Sequence, residues 1–160
     1  MLARMNYRIA PIPQDFLDRV RTRGIDDLGQ PVRRMVSVDG GEPCRDALRR
    51  AQPGEEIILA SFSPFTVVGP YCEFGPVYVF AQPQDDGVAR DCLPQATDYL
   101  DERFAVRAYD HGENIADAAL VTRDEAEVQV QRFLADEAVA FVHARFPTHG
   151  CFALRVDRAS

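Results

Sequence analysis

The chain has 160 residues, 46% of them hydrophobic, which is enough to fill one compact core without a disulfide framework. Its formal net charge of −7 argues against a nucleic-acid partner, because binding to a phosphate backbone needs a basic face. All 18 basic residues are arginines, which excludes lysine Schiff-base chemistry and a phosphate-binding Gly-Lys-Ser/Thr loop. We therefore predict a single domain over residues 1–160, in which any charged substrate held by arginine is an anion.

The sequence contains no predicted leader and no predicted membrane span. The segment Met1 to Ala10 carries Arg4 and Arg8 and has no apolar run, and no later segment is long and apolar enough to cross a bilayer. The cysteines are widely spaced without a Cys-x-x-Cys pair, at Cys44, Cys72, Cys92 and Cys151. This usage is typical of reduced thiols, so we expect a cytoplasmic protein without a membrane partner.

The first half of the chain predicts short strands and two helices. Tyr7 to Ile9 is predicted as an edge strand before the prolines at Pro11 and Pro13, and Gln14 to Arg23 has a helical apolar pattern that ends at Gly24. The further predicted elements are a strand from Val32 to Val38, a helix from Pro43 to about Ala51, and apolar strands from Glu56 to Phe62 and from Val77 to Ala81.

A rigid loop, Ser63 to Pro76, joins the two apolar strands and is the best sequence indication of a site. Its prolines fix the backbone while its glycines permit unusual angles, so it is specified more tightly than a connector needs. Tyr71 is either a ligand-binding hydroxyl or a core ring. Glu73 is either a general base or the partner of an arginine that holds the loop in place.

The second half predicts a helix at Gln95 to Glu102, then an antiparallel hairpin, a capped helix and two final strands. The hairpin strands are Phe104 to Tyr109 and Ile115 to Thr122, and the final strands are Val139 to Phe146 and Cys151 to Val156. Thr122 with Glu125 forms a capping box, and the inner helix face consists of Ala126, Val130, Phe133 and Leu134. The predicted fold class is α+β, with a mainly antiparallel or mixed sheet and about three helices packed on it.

Cys44 and Arg45 follow Pro43 at the start of the first-half helix, where backbone N–H groups favour negative charge. This position would favour a nucleophilic Cys44 thiolate and an anion site at Arg45. The spacing of Cys44, Leu48 and Ala51 favours instead a thiol packed inward. For Arg45, an anion site and a solvated charge both remain open.

His143 and Arg145 alternate onto the same face of their strand. With a four-residue final turn, Phe146 is opposite Cys151, and the two polar residues share their face with the apolar Phe152, Leu154 and Val156. Both are then partly buried, and Glu73 is the predicted carboxylate partner of Arg145. A one-residue shift would instead place Cys151 beside them as a Cys/His couple.

Metal binding is the other use of these side chains. The side chains with donor atoms for zinc or iron are His143, His149 and Cys151, together with Cys44 or Cys72, yet their spacing matches no metal motif. We therefore predict neither a metal nor a cofactor.

The ordered short motifs resemble those of a bacterial family known as domain of unknown function 1203. The motifs are Pro43-Cys44-Arg45, Pro53-Gly54-Glu55, Pro64-Phe65, Pro70-Tyr71, Glu73-Phe74-Gly75-Pro76, Arg107-Ala108-Tyr109-Asp110, His143-Ala144-Arg145 and Gly150-Cys151-Phe152. The resemblance implies a small single-domain bacterial protein and no particular reaction. The family pattern also has a His after the Gly-Pro strand and a Cys shortly beyond it. This chain has Phe80 and Gln82 to Asp85 at those places, with Cys92 displaced, which argues against a metal or Cys/His mechanism taken from relatives.

Two functional hypotheses follow from the sequence. The first is a small-molecule site that binds an anion through Arg45, Tyr71, Arg107 and Arg145, with His143 or Glu73 for proton transfer. Arg107 joins this set because it shares a strand face with Tyr109, although a cross-strand ion pair explains it equally. The second is a non-enzymatic interaction or regulatory module in which these residues form a structural ion-pair network. The sequence does not specify the oligomeric state.

Overall fold

The computed structural model describes residues 6–84, 87–94 and 99–160 and has an α+β architecture. The described residues fall into two compact units, and neither unit is contiguous in sequence. Unit 1 takes its residues from Met1–Ala10, Val67–Cys72 and Ala89–Ser160, and unit 2 from Pro11–Thr66 and Glu73–Val88. Each unit contains one five-stranded sheet.

In chain order the elements are β1 (Tyr7–Ala10), α1 (Gln14–Asp18), β2 (Arg33–Val36), β3 (Pro43–Cys44), β4 (Arg49–Arg50), β5 (Glu56–Phe62), β6 (Gly75–Phe80), β7 (Arg103–Asp110), β8 (Ile115–Thr122), α2 (Arg123–Ala135), β9 (Val139–Arg145) and β10 (Phe152–Arg158). A π-helical turn, Arg19–Arg23, continues α1 and ends at Gly24, which has a left-handed backbone. The predicted edge strand, both apolar strands, the hairpin and the two final strands are thus confirmed within a few residues.

Sheet 1, in unit 1, has the strand order β1-β10-β9-β7-β8 with every neighbouring pair antiparallel. Alternate residues of its strands form an apolar surface against α2, here called the helix face. Buried members of this face are Ile9, Val106, Ala108, Val142, Ala144 and Val156. Tyr7 projects from the same face, and its hydroxyl donates a hydrogen bond of 2.6 Å to the Glu127 carboxylate on α2. The helix face therefore contributes to the core of unit 1.

Helix α2 begins where the sequence predicts. The Thr122 hydroxyl accepts a hydrogen bond from the Glu125 backbone N–H, and the Glu125 carboxylate accepts one from the Thr122 N–H. This reciprocal pair satisfies two backbone donors that the first helical turn leaves open. The predicted inner face, Ala126, Val130, Phe133 and Leu134, is buried.

Sheet 2, in unit 2, has the strand order β2-β5-β6-β3-β4. It is mixed, because β3 runs parallel to β6 while the other pairs are antiparallel. Helix α1 packs near the end of β5 through Phe16, whose ring centroid lies 4.8 Å from that of Phe62. The predicted single sheet is thus corrected to two sheets, one of them mixed.

The predicted helix from Pro43 to Ala51 is wrong. These residues form the short strands β3 and β4 around a tight turn in which Leu48 has a left-handed backbone (φ 50°). Long-range contacts override the local helical pattern, since β3 pairs with β6 and the Asp46 carboxylate accepts a hydrogen bond of 3.2 Å from the Phe80 N–H. The sequence predicted an anion site for Arg45 because a helix would begin there. That helix does not form, so Arg45 is not at a helix N-terminus.

The predicted helix Gln95 to Glu102 falls partly on residues 95–98, which lie outside the described residues, and residues 99–102 are not helical. In the described part of the chain there are two helices rather than about three, while the α+β class is confirmed. No helix among the described residues is long and apolar enough to span a membrane.

Candidate functional site

The second face of sheet 1 carries basic residues where the helix face is apolar, and we call it the arginine face. On it, His143 of β9 lies directly between Arg107 of β7 and Arg155 of β10. Side chains opposite each other in such pairs have Cβ atoms about 5 Å apart, so the three form a row across the sheet. Arg145 follows two residues along β9 and faces the same way.

Aromatic rings surround His143, which is fully buried. The imidazole centroid lies 4.8 Å from the ring of Tyr109, 4.9 Å from that of Phe141 and 5.0 Å from that of Phe152. Burial holds the pKa of His143 well below its usual value, and Arg145 and the two flanking arginines lower it further. The ring is therefore neutral at physiological pH, and it can accept a proton but has no extra proton to give.

Arg145 and Arg155 are fixed by neighbouring groups. The Arg145 side chain is almost fully buried and donates a hydrogen bond of 3.1 Å from Nη1 to the Gly150 carbonyl, in the turn between β9 and β10. Arg155 donates from Nε to the Asp157 carboxylate at 2.9 Å, and its guanidinium carbon lies 4.1 Å from the centroid of the Phe141 ring. Both side chains thus have defined positions on the arginine face.

Arg107 differs from these two arginines. Its side chain is partly buried, and it makes no hydrogen bond or ion pair with any residue in the part of the chain that the structure describes. It is nevertheless close enough to His143 to act on the imidazole electrostatically. The Arg107 guanidinium therefore carries five N–H donors that the described protein groups do not use.

The local charge of this face is opposite to that of the chain. Among the described strand residues of sheet 1, the arginine face carries one carboxylate and several guanidinium groups; the carboxylate is Asp157, and the arginines are Arg8, Arg103, Arg107, Arg145 and Arg155. The whole chain has a net charge of −7. This face therefore concentrates positive charge in an acidic protein.

The final turn shows which strand register forms. The Phe146 N–H donates to the Cys151 carbonyl at 3.0 Å, and Phe152 pairs with Arg145, as the four-residue turn predicts. The alternative register with a Cys/His couple is therefore wrong. A bulge follows between Phe152 and Leu154, so that Arg155 rather than Leu154 is opposite His143. The prediction that Leu154 and Val156 share the face of His143 is corrected, because both belong to the helix face.

Tyr71 lies in the short segment of unit 1 that interrupts unit 2, Val67–Cys72. Its side chain is exposed, and a turn in which the Cys72 N–H donates to the Gly69 carbonyl at 3.1 Å shapes the segment. Buried Glu113, in the turn between β7 and β8, accepts a hydrogen bond from the Val67 N–H at 2.5 Å. Sequence analysis missed Glu113 because nothing near it in the chain indicates a contact with Val67.

Arg45 and Glu73 belong to unit 2. Arg45 is buried, and its Nη1 donates to the Pro43 carbonyl at 2.7 Å while its N–H donates to the Tyr78 carbonyl at 2.9 Å. Glu73 is exposed just before β6. Of the six predicted site residues, sheet 1 brings Arg107, His143 and Arg145 together, while the predicted pair of Arg145 with Glu73 stays a prediction.

Cys44 lies in the core of unit 2 with Ala47, Ala51, Ile57 and Phe80. Burial raises the pKa of its thiol to about 12, so the group remains protonated at physiological pH. The inward-packed interpretation of Cys44 is confirmed. Within the described ranges no group of three or more His, Cys, Asp or Glu side chains is arranged to hold a metal ion.

The protein is an α+β protein whose described residues form two compact units. One sheet face of unit 1 carries arginines around a neutral, buried histidine. The chain belongs to the family described as Protein of unknown function (DUF1203), whose model matches residues 41–158. The match confirms the resemblance seen in the sequence motifs, and it covers all six predicted site residues but not β1, α1 or β2. No curated protein matches the chain, and no solved structure matches it.

Proposed function

We propose that this protein binds a small anionic molecule at the arginine face of sheet 1, with Arg107 as the principal contact. The observation that carries the proposal is Arg107, a partly buried residue whose guanidinium makes no hydrogen bond or ion pair with the described residues. Buried or partly buried guanidinium groups are normally matched by carboxylates or carbonyls. A bound oxyanion would satisfy this group in the same way.

The surroundings of Arg107 favour an anion over a neutral ligand. Arg145 and Arg155 add positive charge on the same face, and rings around His143 lower the local dielectric response, which strengthens charge–charge attraction. A neutral imidazole has one N–H donor and one acceptor nitrogen. In the proposal Tyr71 adds a hydroxyl from the Val67–Cys72 segment.

Acid/base chemistry is the second part of the proposal. Because the pKa of His143 is lowered, this residue serves as a proton acceptor rather than as a general acid near neutral pH. A reaction at this face would therefore begin with removal of a proton from the bound molecule. Glu73 as a second proton carrier and Arg45 as a further anion contact remain predictions.

Calorimetric titration with inorganic phosphate at constant ionic strength tests the binding proposal, with chloride as the reference anion. We expect wild-type protein to bind phosphate and Arg107→Gln to lose at least about tenfold in affinity, as is usual when a charged hydrogen bond is removed. Arg132→Gln is the control, because Arg132 is exposed on α2 and is not part of the arginine face. Equal affinities in the two variants, or no binding by wild-type protein, would contradict the proposal.

The alternative to anion binding is a non-enzymatic interaction or regulatory module, in which the predicted site residues form a structural ion-pair network. The contacts that favour it are the three rings against His143 and the hydrogen bond from Arg145 to the Gly150 carbonyl. Under this alternative Arg145→Met lowers the melting temperature and phosphate has no effect on either protein. Under the anion proposal, phosphate raises the melting temperature of wild-type protein and not that of Arg107→Gln.

A further inference from the structure

Glu113 combines two properties that are seldom found together. It is a non-glycine residue with a left-handed backbone (φ 63°), a conformation that costs an L-residue free energy and that favours glycine or asparagine. Its side chain is also buried, although a carboxylate loses strong hydration when it leaves water. Residues held in such unfavourable states persist only where surrounding contacts stabilise them.

The turn around Glu113 is built so that the left-handed residue is stable. The Asp110 carboxylate accepts hydrogen bonds of 2.9 Å from both the Gly112 and Asn114 N–H groups, and the Glu113 N–H donates to the Asp110 carbonyl at 3.0 Å. These contacts fix the backbone of the β7–β8 turn without any use of the Glu113 side chain. The carboxylate of Glu113 is therefore not needed to close the hairpin.

The Glu113 carboxylate instead reaches a segment far away in sequence. Its Oε1 accepts the hydrogen bond from the Val67 N–H at 2.5 Å, a charge-assisted contact of the stronger kind. Val67 begins the segment that carries Tyr71 and ends at Cys72, where the Gly69–Cys72 turn closes it. This segment also has an exposed apolar side chain, Val68, so hydrophobic burial contributes little to holding it in place.

We infer that Glu113 is a positioning residue, which fixes the Val67–Cys72 segment to the hairpin of sheet 1 and thereby holds Tyr71 in one place for ligand binding. The ligand part of this inference rests on the proposed anion site. The anchoring part does not, because it concerns only the order of the segment. A binding loop whose side chains are preorganised loses less entropy when a ligand binds.

Amide hydrogen exchange of the unliganded protein tests the anchoring. In Glu113→Ala we expect the Val67 amide to exchange about tenfold faster or more, because a hydrogen bond to a charged group is lost, with core amides of β7 and β9 unchanged. Glu113→Gln keeps a carbonyl acceptor at the same place and should restore much of the protection. Glu102→Gln, which changes an exposed glutamate just before β7, is the matched control.

Glu113→Gly separates the carboxylate from the backbone of the turn. Glycine adopts the left-handed conformation without strain, so this variant keeps the hairpin and removes the carboxylate that accepts the hydrogen bond from the Val67 N–H. We expect fast exchange at Val67 with a melting temperature close to that of wild-type protein. Protection at Val67 as strong as in wild-type protein, in either the Gly or the Ala variant, would overturn the anchoring.

Phosphate titration then tests the ligand part. We expect Glu113→Ala and Tyr71→Phe each to weaken phosphate binding, and the double variant to bind no more weakly than Glu113→Ala alone, because both changes act through one contact. Fast exchange at Val67 with unchanged phosphate affinity would overturn the positioning role. Absence of phosphate binding in wild-type protein would instead contradict the proposed anion site, and the exchange data would still decide the anchoring.

Discussion

Arg49 in unit 2 and Arg107 in unit 1 are both partly buried arginines on strands of a sheet, and their surroundings differ. Arg49 donates to both oxygens of the Glu55 carboxylate, at 2.9 and 2.8 Å, and also to the Gln84 amide oxygen at 3.1 Å. Its guanidinium carbon lies 4.2 Å from the centroid of the Phe80 ring. Arg107 has no such contact among the described residues. The comparison separates an arginine whose donors stabilise the fold from one whose donors are left for another molecule.

The same difference extends to the neighbours of each arginine. In unit 2 a second guanidinium, Arg21, is almost fully buried against Asp46 at 2.7 Å. Burial raises the pKa of Asp46, and the arginine and the Phe80 N–H only partly offset this effect. In unit 1 the residue beside Arg107 is His143, which is neutral. Unit 2 therefore balances its buried charge locally, whereas Arg107 lies beside a group that cannot balance it.

The largest expected effect comes from breaking the balanced pair in unit 2. Asp46→Ala leaves the buried Arg21 without its carboxylate, so we expect the free energy of unfolding to fall by about 3–5 kcal/mol, measured by urea denaturation. Asp15→Ala, at an exposed carboxylate in α1, is the control and should change it little. A loss below about 1 kcal/mol for Asp46→Ala would show that the pair contributes little to the fold.

The pH dependence of stability tests the neutrality of His143. Because its pKa is lowered in the folded state, the unfolded chain binds more protons below about pH 6.5, and the free energy of unfolding falls as the pH falls. Between pH 7 and pH 5 we expect this residue to account for a loss of about 2 kcal/mol, which His143→Phe abolishes. His149→Gln, in the exposed final turn, should keep most of the wild-type slope. Parallel curves for wild-type protein and His143→Phe would contradict the interpretation.

Glu55→Gln tests Arg49, the arginine that has a carboxylate partner. We expect the free energy of unfolding to fall by about 1 kcal/mol at pH 7, less than for Asp46→Ala, because the Arg49–Glu55 pair is partly exposed to water. The hydrogen bonds from Arg49 lower the pKa of Glu55 to about 2. The stabilisation is therefore complete above the unfolded pKa and is lost as the pH falls from about 4.5 to about 2, where wild type and variant converge. Glu56→Gln, at the neighbouring exposed glutamate, is the matched control. An undiminished difference at the lowest pH would count against the ion pair as its source.

Arg107→Gln should have the smallest effect on stability. The Arg107 side chain makes no hydrogen bond or ion pair with the described residues, so it contributes little to the stability of the fold. We expect the free energy of unfolding to change by no more than about 0.5 kcal/mol in phosphate-free buffer. A loss as large as that of Glu55→Gln would remove the contrast between the two arginines and favour the structural network. Urea denaturation of both variants in one buffer makes the comparison direct.

Structural features that depend on residues close together in the chain could be predicted from the sequence. The capping box of Thr122 and Glu125 uses residues three apart, and strand alternation sufficed to place His143 and Arg145 on one face. The hairpin between β7 and β8 follows from its turn residues. For these elements, local preference and tertiary packing agree.

Structural features that depend on residues far apart in the chain could not be predicted from the sequence. The bulge after Phe152 exchanges Leu154 for Arg155 opposite His143, and no residue with an unusual backbone preference indicates it. The helical pattern after Pro43 gives way to strands because Asp46 bonds to β6, far along the chain. Arg155 was therefore missed as a member of the arginine face, and Arg45 was assigned to a helix end that does not form.

The pairing of β1 with β10 has a consequence for how the chain folds during synthesis. Tyr7 is opposite Arg158, so the first described strand has its partner near the other end of the sequence. Closing a loop of this length carries a large entropy loss before any contact compensates it. Sheet 1 therefore cannot be completed on the ribosome until β10 has left the exit tunnel, and β1 must wait with its backbone N–H and C=O groups bound to water or to a chaperone. The slowest step of folding is then expected to be the arrival of β1 at the edge of sheet 1.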